Sequence, residues 1–311
     1  MSDLIRKRTS SFKNPKEGKE RIEGWVAKME ASNGRPYAKI SVETELGQTQ
    51  VYGLNLDENY TESIVIFPGF RTSALFWDFD NGLDLLKREA LKIYLIETNG
   101  QPNLSAGHTP DIKGNGYGIW ANKVLEQLGI ERTYIAGASF GGLVCMKLAI
   151  TNPEKIKAAF LLNAGCFRMI SLGFKNLYYN LLPILFPSKK NMDLFFEQIV
   201  FCGDHHCLSS NSKDLIMDYM HYVIQFYQDK TQKPYPMGAE LRIVDTPVHL
   251  LFGANDYLLP YEKSMANAQR YLKNIQSIKV FPNVGHGIET YQPAIEYIKL
   301  QINKSTMQPL S

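Results

Sequence analysis

From residue 63 onward, short apolar runs alternate with helix-length stretches, and this rhythm constrains the fold more than any other feature of the chain. Runs at 63–67, 91–97, 132–138, 158–163, 247–252 and 277–281 are four to eight residues of apolar, largely β-branched or aromatic character, the length of a strand buried on both faces. Helices are predicted at 115–129, 140–151, 260–274 and 291–303. Parallel neighbours need a crossover between them, so this alternation predicts an α/β fold: a mostly parallel central sheet with helices on both faces. Upstream, strands at 37–45 and 49–56 are joined as a hairpin around Gly47. Residues 15–31 read as an amphipathic helix with Ile22, Trp25, Val26 and Met29 at helical spacing.

The rhythm breaks once. Residues 168–240 hold no convincing buried strand but several helical stretches rich in Phe and Tyr. An insertion following a strand lies where such sheets bind ligands, so the expectation is a helical cap over a site. A helical bundle packed on the core explains the same composition. The organisation expected is one α/β domain over 1–311, with its core at about 37–167 and 241–303, an inserted helical cap at 168–240 and an N-terminal helical arm at 1–36.

Composition excludes several classes. Hydrophobic residues at 44% and charged residues at 21% are ordinary for a globular protein, and a net charge of +3 implies no nucleic-acid partner. The basic cluster of Arg6, Lys7, Arg8, Lys13, Lys16, Lys19 and Arg21 is diluted by Asp3, Glu17 and Glu20 and reads as a solvated arm. No apolar run is long enough for a membrane span. The first twenty residues lack a secretory apolar stretch, which predicts a cytoplasmic location. Of four cysteines, Cys145 and Cys166 fall in segments expected to be buried and reduced.

The chemistry concentrates in Gly137-Ala138-Ser139-Phe140-Gly141-Gly142, between the apolar Tyr134, Ile135 and Ala136 and a helix-forming run. A serine hydroxyl needs a base and an exposed, fixed position to act as a nucleophile. A sharp strand-to-helix turn supplies the exposure, and flanking glycines let the chain make it. Among six histidines, His286 follows the last strand in Val284-Gly285-His286-Gly287, where the loop opens toward the C-terminal edge of the sheet. His249 lies inside an apolar strand, and His108 and His221 have no supporting context. Asp256 ends Gly253-Ala254-Asn255-Asp256, past another strand, and is the candidate acid that orients the imidazole. A turn aspartate capping the next helix is the plainer reading of the same residue. Serine, aspartate and histidine follow the chain order of a strand-loop triad. The backbone N–H groups of Phe140 and of Phe70, in the loop from Pro68 to Ser73, are the candidate oxyanion donors.

On these motifs, together with Ser73 and Trp77 and the Gly253–Pro260 segment, the chain resembles a carboxylesterase-type member of the α/β-hydrolase superfamily along nearly its whole length. The resemblance implies ester or related acyl hydrolysis through an acyl-enzyme, on a small-molecule acyl substrate, with no metal or organic cofactor. Two departures stand out. Pro68 occupies the place of the usual histidine before the oxyanion-loop glycine, and Glu97 with Thr98–Ser105 replaces an aspartate and a glycine-rich turn. Serine at position 139 sets the chain apart from dehalogenases and epoxide hydrolases of this fold, which attack through aspartate. Carbon–carbon or amide hydrolysis, acyl transfer, or a non-enzymatic ligand-binding role are the alternatives on the same residues. Cys202, Asp204, His205, His206 and Cys207 form a second polar cluster. Their residue types suit zinc, but four ligands from one short turn are cramped, and a polar loop is the preferred reading.

Overall fold

The computed structural model describes residues 5–307 except Thr9, Glu58, Arg88, Glu89, 202–207 and Lys230. The cluster at 202–207 therefore lies outside the described residues.

An eight-stranded sheet runs through the molecule in the order β1-β2-β4-β3-β5-β6-β7-β8. Its strands are β1 (Ala38–Thr44), β2 (Gly47–Leu54), β3 (Glu62–Phe67), β4 (Leu91–Ile96), β5 (Thr133–Ala138), β6 (Ile156–Leu162), β7 (Val248–Gly253) and β8 (Ile275–Phe281). Only β2 runs against its neighbours; β4, β3, β5, β6, β7 and β8 pair in parallel. The hairpin around Gly47 and the six core strands thus lie where the hydrophobic pattern puts them. β3, β5, β6 and β7 are almost wholly buried, as helices on both faces require.

One face carries α3 (Gly116–Gln127), α4 (Phe140–Thr151) and α8 (Tyr261–Tyr271), whose Trp120, Leu143, Val144 and Ala268 join one core cluster. The other carries α1 (Pro15–Asn33) and α9 (Gln292–Met307), which bury Trp25, Met29, Ile295 and Ile298 in a second. The short α2 spans Asp84–Lys87. Between β6 and β7 the chain forms α5 (Phe174–Leu185), α6 (Lys189–Phe195), a π-helical turn at Phe196–Phe201 and α7 (Ser210–Phe226).

The N-terminal segment is less solvated than its charge suggests. Lys16 and Lys19 are exposed, but Arg8 pairs with buried Asp229 at 2.7 Å, and Arg21 and Lys28 share Asp218 of α7. Beneath them Trp25 Nε1 donates to Leu215 O at 2.8 Å and its ring lies 4.7 Å from that of Tyr219. Arg8 and Arg21 of the cluster thus meet acids placed far along the chain, which a local count of charge does not reveal, while Lys16 and Lys19 face Glu20 and Glu23 within α1. Among the described residues no helix is long and apolar enough to cross a membrane.

Candidate active site

Because β3, β5, β6, β7 and β8 are parallel, their C-terminal ends meet at one edge, with Phe67 beside Gly137, Ala138 beside Leu162 and Gly253 beside Phe281. The loops leaving that edge carry every candidate residue.

Ser139 sits between β5 and α4 at φ 50°, ψ −111°, a strained backbone for a residue with a side chain. Its N–H donates to Leu162 O, and its carbonyl accepts from Gly142 N and Gly165 N. The turn closes because Gly137 and Gly141 lack side chains. A Cβ on Gly137 would lie 2.3 Å from the Gly141 carbonyl, and one on Gly141 would lie 2.2 Å from Phe67 O. Ser139 is partly exposed and lines a cavity of about 330 Å³.

His286 lines the same cavity. Its Nδ1 lies 2.8 Å from Asp256 Oδ2. Burial disfavours the imidazolium, but the charge and hydrogen bond of Asp256, with Glu289 adding its own field, raise the imidazole above its ordinary pKa. Both carboxylate oxygens of Asp256 are engaged. Oδ1 accepts from Leu258 N and Leu259 N, fixing the turn before α8, while Oδ2 holds the imidazole. Asp256 and His286 are thus brought together, and Ser139 shares their cavity. No hydrogen bond joins the Ser139 hydroxyl to the imidazole among the described residues. Contacts of this kind tighten when substrate binds.

The loop after β3 reaches the same point: a Cβ on Gly69 would stand 3.7 Å from Ser139 Cβ. Among the described residues nothing accepts from the amides of Phe70 and Phe140, so both N–H groups are available donors. The second of the two departures from the family pattern, the segment from Glu97 to Ser105, braces this loop. Arg71, at φ 63°, donates its N–H to Gln101 Oε1 at 2.9 Å. The buried Glu97 carboxylate accepts from Ser73 Oγ and from Ala74 N. Burial pushes Glu97 up to about 7.

Three further groups were not singled out by the sequence. Asn163, buried at the end of β6 with φ 42°, donates to Gly285 O at 2.9 Å and His286 O at 3.1 Å and accepts from Gly253 N at 2.9 Å. One amide ties the aspartate loop to the histidine loop; its signal was a polar residue directly after an apolar strand, as for Asp256. Glu289 lines the cavity, with Oε2 buried and without a partner among the described residues, and burial followed by the Asp256 charge raises its carboxyl. Arg71 also lines the cavity and lies over the rings of Phe70 and Tyr227 at 5.0 and 5.6 Å. The other histidines among the described residues are elsewhere: His249 in β7 stacks on Phe160 and meets Ser277 Oγ, His108 lies against Arg8 O, and His221 against Gln225 Nε2. No group of three or more metal-ligating side chains is present among the described residues.

Two family models match the chain. A family model described as alpha/beta hydrolase fold matches residues 62–183, and one described as BAAT / Acyl-CoA thioester hydrolase C terminal matches 124–308, more than half of the chain. The chain belongs to the α/β-hydrolase superfamily. Within it, the relatives the chain resembles are carboxylesterases and other hydrolases. It is 24% identical over 267 residues to the Bacillus subtilis carboxylesterase nap, covering 81% of each chain. It is 25% identical over 276 residues to a 2-hydroxy-6-oxononadienedioate/2-hydroxy-6-oxononatrienedioate hydrolase of Pseudomonas putida, covering 83% of this chain and 91% of that one. Among solved structures, Bacillus subtilis naproxen esterase superposes with TM-score 0.72 at 20% identity, over 92% of this α/β-hydrolase and 98% of the esterase. Carboxylesterase CesB (YbfK) of the same species gives 0.73 at 19% identity, over 94% and 100%.

Proposed function

We propose that the chain is a serine esterase whose nucleophile, base and acid are Ser139, His286 and Asp256. The observation that carries this reading is the Asp256–His286 hydrogen bond set on the same cavity as a strained, partly exposed Ser139. With Nδ1 engaged by Asp256, Nε2 is the nitrogen left to take the Ser139 proton as the hydroxyl attacks a carbonyl. The N–H groups of Phe70 and Phe140 stabilise the oxyanion, His286 protonates the leaving group, and water releases the acyl group in a second, mirrored half. These steps need no metal or organic cofactor.

Residues 168–240 act as a cap in this reading. α5, the π-helical turn and α7 supply Ile184, Phe196, Val200 and Met220 to the cavity wall. The same turn grips the histidine loop: Gly285 N, His286 N and Gly287 N donate to the carbonyls of Phe201, Ile199 and Val200. An apolar wall suits an apolar acyl or alcohol group. The free, buried thiols of Cys145 and Cys166 suit a reducing compartment and support a cytoplasmic placement.

Ser139→Ala should lower kcat on p-nitrophenyl esters by about 10⁴ or more, and a fluorophosphonate probe should label wild-type protein only. Near wild-type turnover by the alanine variant would overturn the assignment. Thioester hydrolysis is the second reading, supported by the acyl-CoA thioester hydrolase match over residues 124–308. Acyl thioesters, amides and vinylogous diketones beside the esters separate these reactions.

A further inference from the structure

Helix α5 is built inside out. Its buried residues are Asn176 and Pro183, while Phe174, Leu177, Tyr178, Leu181 and Leu185 form an exposed stripe at helical spacing. Phe174 is 86% and the preceding Leu172 79% exposed, and Met169, Ile184 and Phe186 extend the same patch. The polar inner face is occupied: Asn180 Nδ2 donates to Asn176 O at 2.9 Å, and Asn176 Nδ2 to Ser171 O at 2.5 Å. A contiguous apolar surface of this extent on a folded chain marks an interaction site.

The charges around it indicate what covers it. Between residues 168 and 190 there are four cations, Arg168, Lys175, Lys189 and Lys190, and no Asp or Glu. Lys175, Lys189 and Lys190 are exposed. Lys175 rests against the Tyr257 ring at 4.1 Å, and Lys189 has the exposed Asp214 of α7 at 3.7 Å as its acidic neighbour. An apolar helical stripe with basic flanks and interfacial tyrosines is the pattern of a helix lying in the headgroup plane of a membrane. A second copy fits less well, because a two-fold contact would set the same cations against each other.

We propose that residues 168–190 dock on an anionic lipid surface with α5 in the membrane plane. Ile170, Asn180, Pro183 and Ile184 of the same segment line the cavity that holds Ser139 and His286. Docking therefore brings the cavity against the bilayer, and the substrate class becomes lipophilic esters partitioned in it. That last step rests on the esterase reading; docking does not.

The two are tested separately. Ser139→Ala protein should co-sediment with phosphatidylcholine vesicles containing phosphatidylserine, and weakly with phosphatidylcholine alone. Phe174→Asp with Leu181→Asp should cut the partition constant at least about tenfold, and Lys189→Ala with Lys190→Ala also about tenfold. In a Ser139 background the Asp pair should leave turnover of a short soluble ester unchanged while lowering that of a vesicle-borne ester. Wild-type protein that stays in the supernatant at low salt, or binding untouched by both pairs, overturns the docking. A dimer on gel filtration that Phe174→Asp dissolves makes a second copy the occupant and overturns it equally. Vesicle binding without hydrolysis of any ester leaves docking standing and removes the esterase reading.

Discussion

Asn163 is the residue on which the geometry of the site should depend most sharply outside the proposed triad. Asn163→Ala removes three hydrogen bonds at once and strands the carbonyls of Gly285 and His286 and the N–H of Gly253 in a buried region. Each stranded group costs about 1–3 kcal/mol before relaxation, so roughly 3 kcal/mol is expected for the three at the low end of that range. Alanine at φ 42° adds about 1 kcal/mol that asparagine tolerates. A total of about 4 kcal/mol lowers Tm by roughly 6 °C in a chain of this size. The kinetic effect is separate: freeing the histidine loop misplaces the base, and a displacement of about 1 Å can cost 10²-fold in kcat with KM nearly unchanged. Thermal unfolding, steady-state kinetics on a soluble ester and hydrogen exchange at 253 and 285–287 read the three effects. Asn163→Gly, which relieves the backbone strain alone, should recover about 1 kcal/mol of stability but none of the kcat. An alanine variant with unaltered Tm and kcat within about twofold would falsify the role of Asn163 as a positioning residue.

Asp256→Asn removes the charge that holds the His286 pKa up, so the acid limb of the kcat/KM profile should move to lower pH while kcat falls on the order of 10⁴; an unmoved limb would mean that Asp256 does not set the titration. Glu97 keeps its proton in the fold up to about 7, whereas the unfolded chain loses it near 4.5. Its contribution is therefore fully present below pH 4.5 and lost as pH rises to 7, by roughly 3 kcal/mol. Denaturant melts of Glu97→Gln should show that slope flattened, and an unchanged slope would remove Glu97 as its source.

The sheet and the positions of the candidate residues were legible because both are written locally. Buried strands such as Ile64–Phe67 and Ile135–Ala138 announce themselves by continuous apolar runs, and a parallel sheet puts every strand's C-terminal end at one edge. Ser139, Asp256 and His286 could be picked out because each directly follows such a run. Glu97 and Asn163 also follow strands, yet their partners, Ser73 and the carbonyls of Gly285 and His286, lie 24 and more than 120 residues away. Glu289 lies only three residues beyond His286, but its burial beside the imidazole depends on packing rather than on spacing.

The amino-acid sequence alone determined the α/β layering, the strained turn at Ser139 and the candidate acid and base, since hydrophobic period and turn chemistry act over a few residues. Only the tertiary structure decided which polar side chains hold the loops, how the N-terminal cations are neutralised and which face of α5 looks outward. Those outcomes depend on contacts between distant segments, and no local pattern specifies the energy of a contact whose other half is not yet in place.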